Sequence, residues 1–487
     1  MIPLTLGEIA NIVDGEVRHV DKNVSTSQYP VIDSRLVTPD TFFVAIKGES
    51  LNGHDFAGVA IEAGADFVLA TEEVGVPSII VSSCENALKA LAAHIRSELK
   101  EMVVIGITGS QGKTTTKHIA KYIFSLDGQT VATEGSFNNE LGLPLTVLRA
   151  DHKTKYLILE MGARHVGDIS HLCSIAQPNI GAVLIVGTAH IEIFGSQAAI
   201  AKAKGELITS LRPTGVAVLG NFDPFTPRMA DGLGIRSIHF GIESAEDELQ
   251  VRATDIELRD GMPHFELVTP EARESLTLNF IGEHQVANAL AAAAIARAAG
   301  ISFEKICEGL SMATPSSNFR MQVTEVAGVL IINDSYNANP ASMKAAIATL
   351  RHFSQARGGE SWAFLGRMHE LGEDELSDHK MIGELLPHEG IDHLVEIGSW
   401  GIAQGVKDSN LEVTQIHETS DRDEASLMFP RIQSGDCVLI KASRAETLEV
   451  LATQLINELE TRDLKVDQET TTTSKSHEKN KNEEKTL

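Results

Sequence analysis

The stretch that most constrains the fold reads Gly106-Ile107-Thr108-Gly109-Ser110-Gln111-Gly112-Lys113-Thr114-Thr115-Thr116. The apolar run Met102-Val103-Val104-Ile105 before it has the character of a buried strand, and residues 117–124 after it carry helical apolar spacing. Strand, glycine-rich turn and helix in that order form the setting of a phosphate-binding loop. Gly109 and Gly112 let the main chain approach an anion closely. The N–H groups at the helix start, and the helix dipole, favour negative charge there. Lys113 adds a full positive charge, the hydroxyl of Thr114 suits Mg²⁺, and Ser110, Gln111 and Thr115 complete the expected phosphate contacts. A strict Walker pattern needs Gly where Ile107 stands, so the loop fits the shorter Gly-x-x-Gly-Lys-Thr form.

The chain is 487 residues long, which corresponds to about three domains. Its formal net charge of −26 argues against non-specific nucleic-acid binding, which needs a basic face. The four cysteines, Cys84, Cys173, Cys307 and Cys437, are scattered without metal-ligand spacing and read as free thiols of a reducing compartment. No apolar run has the length of a signal peptide or a membrane span. The expectation is a cytoplasmic protein without membrane insertion.

Along the chain, apolar strand-like runs alternate with helical stretches, the pattern of an α/β protein with mostly parallel sheets. A first unit over 1–100 carries strand signals at 41–46, 66–70 and 78–81, with Asp33-Ser34-Arg35 in a loop. A second unit over 101–318 holds the phosphate loop, the Asn138-Asn139 turn and a strand at 156–162 ending in Glu160. Ligands of parallel sheets gather at the carboxyl ends of strands, which places Glu160 where a Mg²⁺ ligand is expected. A strand at 182–186 is followed by His190, read as a second strand-end residue. Lys202 and Lys204 share a helix at 198–211, and an Ala-rich helix covers 289–299 just past Asn288. A third unit over 319–462 has strands at 328–334, 362–366, 393–398 and 436–441. It reads as a Rossmann-like sheet without the G-x-G-x-x-G of a dinucleotide site. Residues 463–487 are polar, without aromatics, and read as a disordered tail.

Taken together, these stretches resemble the Mur ligase family, the ATP-dependent ligases of peptidoglycan precursor synthesis. The signature runs from Thr108 to Thr116. Supporting it are Asn138-Asn139, Glu160-Met161-Gly162, His190, Lys202-Ala203-Lys204-Gly205-Glu206 and Asn288. The loop Asn333-Asp334-Ser335-Tyr336-Asn337-Ala338-Asn339-Pro340 is similar to that of the branch acting on D-alanyl-D-alanine. Asp33-Ser34-Arg35 with Gly53-His54 is similar to the family's uridine-nucleotide domain. The resemblance therefore implies three domains: a small α/β uridine-nucleotide domain, a central P-loop ATPase-type sheet and a C-terminal Rossmann-like sheet. Three positions depart from the family pattern: Gln285 in place of Asn, Arg367 in place of Asp, and Ala442 in place of Gly.

The same resemblance implies a reaction. ATP phosphorylates the terminal carboxylate of UDP-N-acetylmuramoyl-tripeptide, and the amine of D-alanyl-D-alanine attacks the acyl phosphate. Lys113, His190 and Lys204 are the implied catalytic residues. Thr114 and Glu160 hold one Mg²⁺, while His190 and a carbamylated lysine, Lys204 before Lys202, hold a second. Asn288 contacts adenine, and Asp334 with Arg320 contacts ribose and phosphate. Ser34, Arg35, Asn138, Asn139, Tyr336, Asn337 and Asn339 are implied substrate contacts, and a monomer is expected. The rivals are a sibling ligase adding a different residue and a nucleotide-dependent switch that performs no ligation.

Overall fold

The computed structural model describes residues 1–48, 51–242, 249–315 and 318–463. The expected tail at 463–487 therefore lies almost wholly outside the described residues. The chain builds an α/β molecule in which three larger sheets follow one another along the sequence. The first has five strands, with Thr41–Val44 and Val68–Ala70 inside it and the antiparallel Glu16–Arg18 at one edge. The central sheet has nine strands and the last has six.

In the central sheet, Val103–Thr108 is flanked by Ile180–Val183 on one side and Tyr156–Glu160 on the other, all parallel. Three strands at the far end, Val251–Arg259, Met262–Val268 and Arg273–Thr277, form an antiparallel meander. Strands buried on both faces need apolar side chains throughout, which is why the inner strands read as continuous apolar runs. The helices Lys113–Ser125 and Gln285–Ala298 share one core with this sheet. The second helix buries alanines round most of its circumference, among them Ala289, Ala292 and Ala296, so helix and sheet approach closely.

The last sheet is parallel except for the edge strand Gln322–Val326, which pairs antiparallel with Val329–Asn333. Cys437–Lys441 lies between Val329–Asn333 and Ser361–Leu365. The sequence's last strand is thus inserted at the middle of the sheet.

Several boundaries differ from the sequence reading. Gly106, Ile107 and Thr108 belong to the strand, not to the turn. Gly106 is there because the helix Gln197–Thr209 packs on it: a Cβ would lie 2.8 Å from Leu207 Cδ1. The following helix begins at Lys113, four residues earlier than the apolar spacing indicated, because Gly112 at φ 83° caps it. The Ala-rich helix likewise begins at Gln285, which puts Asn288 in its first turn. His190 is not at a strand end. It caps the short helix Ile191–Phe194, seven residues beyond the strand, with φ 62°.

Candidate active site

Strand and helix ends from the central and last sheets meet around a cleft of about 470 Å³. The phosphate loop forms its floor. The first N–H groups of a helix have no partner within the helix, and here Gly112 to Thr115, at that helix start, line the cleft. Gly112 is irreplaceable on two grounds: its positive φ, and Asn288 Oδ1 only 2.3 Å from where a Cβ would sit. Lys113 Nζ donates to its own loop at Gly109 O, 2.7 Å away. Burial holds its pKa below the ordinary lysine value, with Glu160 opposing and Arg320 adding to the effect.

Glu160 closes the end of its strand and is buried. Its Oε2 accepts from Thr114 Oγ1 at 3.0 Å and its Oε1 from Asn138 Nδ2 at 2.8 Å. Lys117 Nζ lies 3.5 Å from Oε2 and donates to Gly135 O at 2.7 Å. The sequence reading passed over Lys117. Its signal was the position one helical turn after Lys113, on the face that turns inward. Thr114 Oγ1 and Glu160 Oε2 are hard oxygen donors side by side, the chemistry Mg²⁺ takes. No cluster of three or more His, Cys, Asp and Glu suited to a metal occurs among the described residues. Such a set also fits Mg²⁺, which uses one or two carboxylates and completes its shell with phosphate and water.

His190 lines the same cleft, and its Nδ1 pairs with Glu370 of the last sheet. Burial lowers the His190 pKa, Glu370 opposes this, and Lys113 and Lys204 add to it. Lys204 is buried, whereas Lys202 on the same helix is exposed. Burial and the neighbouring Lys113 push the Lys204 amine well below its ordinary pKa. No hydrogen bond or ion pair to it occurs among the described residues. Glu370 is the second residue the sequence reading missed. Nothing in the chain's spacing relates residue 370 to residue 190.

The opposite wall comes from the last sheet. Arg320 lies over the Tyr336 ring at 3.8 Å, and Tyr336 donates its hydroxyl to Ser136 Oγ at 2.5 Å, across the cleft. Asp334 Oδ2 accepts from the buried Lys441 at 2.6 Å, and Lys441 also donates to Asn337 O. Asn339 lines the cleft and caps the helix Pro340–Arg357 through Ser342 N at 2.9 Å. Asn288 Nδ2 donates to Gln285 Oε1 at 2.8 Å, so the residue standing where Asn is usual steadies Asn288. Arg367 pairs with Glu375 and lies over Trp400, and Ala442 fits beneath Gly366, where a Cβ would come within 3.0 Å of it.

Five expected residues are not among those that line the cleft: Gly109, Lys204, Asn139, Ser34 and Arg35. Asn139 Oδ1 accepts from Gly142 N, at the start of the helix Gly142–Val147, and the residue is exposed. Ser34 and Arg35 lie in a short 3-10 turn beside the first sheet, with the exposed Arg35 folded onto Asp33.

A parallel sheet with a phosphate loop, faced by a second parallel sheet across a nucleotide-sized cleft, defines an enzyme that works on a nucleoside triphosphate. Family models match along the chain: "Mur ligase family, catalytic domain" at 31–103, "Mur ligase middle domain" at 107–296 and "Mur ligase, glutamate ligase domain" at 319–444. The chain belongs to the Mur ligase family and is an ATP-dependent ligase. Among its relatives of nearly the same length are UDP-N-acetylmuramoyl-tripeptide–D-alanyl-D-alanine ligases. That of Mycobacterium tuberculosis (strain ATCC 25618 / H37Rv) is 38% identical over 94% of this chain and 98% of its own. That of Escherichia coli (strain K12) is 32% identical over 92% and 97%. Among solved structures, MurF from Acinetobacter baumannii superposes with a TM-score of 0.81 at 30% identity, covering 93% of this chain and 99% of that one. The MurF ligase of Thermotoga maritima in complex with ADP does so at 0.75 and 30%, covering 90% and 99%.

Proposed function

We propose that this chain joins D-alanyl-D-alanine to UDP-N-acetylmuramoyl-tripeptide through an acyl phosphate. The products are the pentapeptide precursor, ADP and phosphate, in cell-wall synthesis. The observation that carries this is the cleft itself. Lys113, Thr114, Glu160 and His190 line one side of it, and Arg320, Asp334, Tyr336, Asn337 and Asn339 the other.

Phosphoryl transfer between anions is chiefly positioning and charge neutralisation. Lys113 and the helix N–H groups hold the triphosphate, with Gly109, Ser110, Gln111, Gly112 and Thr115 shaping the loop. Thr114 and Glu160 would hold one Mg²⁺ and His190 with Lys204 a second, and such ions would supply neutralisation of phosphate charge. As an ammonium, Lys204 could not face a metal beside Lys113. A buried amine with a depressed pKa is the nucleophilic free base that adds to CO₂ and gives up an N–H proton to water, and the resulting carbamate is an anion that suits both neighbours. Asn288 contacts the adenine, and Asp334 and Arg320 the ribose and phosphates. Tyr336, Asn337 and Asn339 hold the dipeptide. Ser34, Arg35, Asn138 and Asn139 serve the uridine-linked acceptor.

In this reading residues 1–100 bind the UDP-sugar, 101–318 bind ATP and 319–462 bring the dipeptide and close the site. Closure excludes water, which otherwise hydrolyses the acyl phosphate. The protein works as a cytoplasmic monomer, without nucleic acid or membrane partners. Among the described residues no helix is long and apolar enough to cross a membrane.

The test is phosphate release with ATP, Mg²⁺, the UDP-linked tripeptide and D-alanyl-D-alanine, omitting each in turn, with lysine- and diaminopimelate-containing tripeptides side by side. Release that needs all four establishes the ligase. Release without either acceptor marks a nucleotide switch and overturns the proposal.

A further inference from the structure

Glu370, in the loop after the strand Ser361–Leu365, touches the central sheet's reactive end. One of its oxygens pairs with His190 Nδ1, and the other lies 3.8 Å from Arg164 Nη2. Arg164 and His190 sit in the loops after Tyr156–Glu160 and Ile180–Val183, the two strands that flank the phosphate-loop strand. A single carboxylate from the opposite sheet therefore bridges the loops on both sides of the triphosphate cradle.

Its placement is held by its own backbone. Glu370 has φ 64°, uncommon for a residue with a Cβ. Glu370 O accepts from Glu192 N at 3.4 Å, two residues beyond His190. The preceding residues are pinned: Met368 N donates to His379 Nε2 and His369 N to Ser443 Oγ, both at 2.9 Å. A carboxylate only accepts, so its partner Nδ1 carries the proton and Nε2 keeps its lone pair for the cleft.

Resting on the ligase reading above, we propose that Glu370 is a positioning residue. On closure it reaches across the cleft and fixes His190 in its Nδ1–H tautomer, so that the reactive end is complete only in the closed molecule. Carboxylates behind a metal-binding histidine act in this way, and their removal commonly costs about 10–100-fold in activity or affinity.

The test uses the full chain with Glu370→Ala, Glu370→Gln and, as a matched charge control in the 3-10 turn Gly372–Asp374 that follows, the exposed Glu373→Gln. Expected are a fall in kcat of about tenfold or more in Glu370→Ala, with KM for ATP within about twofold, and partial recovery in Glu370→Gln, whose amide oxygen still accepts. Glu373→Gln keeps wild-type rates. The second readout is independent of turnover. In ¹⁵N-histidine-labelled protein with a non-hydrolysable ATP analogue, the His190 signal, identified by its loss in His190→Gln, shows a protonated Nδ1 in wild type. In Glu370→Ala it moves towards the other tautomer. A protonated Nε2 in wild type overturns the proposal even if a variant fails to fold. So does wild-type kcat in Glu370→Ala, or a fall shared equally by Glu373→Gln. A wild-type chain that shows no acceptor-dependent phosphate release overturns the ligase reading instead, while the tautomer measurement still decides the Glu370 contact.

Discussion

Two buried lysines at the reactive end have opposite needs. Burial and the like charge of Lys113 disfavour an ammonium at Lys204, a conflict that the proposed carbamate would relieve. Lys204→Ala is expected to lower kcat by at least about a hundredfold, with partial return on adding formate or acetate, whose carboxylate re-enters the space. No return at any concentration of either acid would remove the carbamate from the account. Lys117, by contrast, is fully buried against Glu160 and the Gly135 carbonyl. Replacing it with methionine keeps the volume but strands a buried carboxylate. Breaking such a pair costs ~3 kcal/mol, since Thr114 and Asn138 still donate to Glu160. Urea unfolding of Lys117→Met measures this, and a loss below about 1 kcal/mol would show that the two charges are not coupled.

Between elements, Asp127 ties three pieces of the central unit together. It accepts from Lys155 at 2.5 Å, Tyr156 at 2.5 Å and Lys305 at 2.7 Å, joining the end of the phosphate-loop helix to a strand and to the helix Phe303–Met312. These donors hold its pKa well below the usual carboxylate range. A depressed carboxylate stabilises the fold above its unfolded pKa, near 4, and loses that contribution as pH falls through its folded value. Asp127→Asn is therefore expected to cost about 1–2 kcal/mol at pH 7, after allowing for the partly exposed lysines, and progressively less below about pH 4. Chemical denaturation of both proteins at pH 7 and pH 3 checks it; an unchanged gap would refute the assignment. Element identity was largely legible because inner strands such as Tyr156–Glu160 are continuous apolar runs ending in one polar residue. Boundaries were less so. Gly106 looked like loop because glycine is scarce in strands, and only the helix packed over it explains its place. The edge strand Gln322–Val326 escaped notice because it is half-exposed and carries no apolar run.

At the scale of the whole molecule, the chemistry depends on residues far apart in the chain meeting across a cleft. Local pattern carries the phosphate loop and Glu160, since both sit at predictable ends of parallel strands. It carries nothing about Ser136 meeting Tyr336, or His190 meeting Glu370, separated by 200 and 180 positions. Those contacts exist only when the last sheet lies over the central one, so in the proposed reading they favour the closed form. The Tyr336 hydroxyl bond to Ser136 should weight the balance of open and closed forms without holding either sheet together. Tyr336→Phe keeps the ring under Arg320 and removes the hydroxyl that bonds Ser136. One such bond is worth about 1 kcal/mol, a shift of about fivefold towards the open form. The variant should unfold at the same urea concentration as wild type. In X-ray scattering with an ATP analogue it should need more acceptor to reach the compact form, and KM for the dipeptide should rise by a similar factor. A variant that compacts as readily as wild type would mean that closure is driven by bound ligands alone, and that the Tyr336–Ser136 contact follows closure without contributing to it.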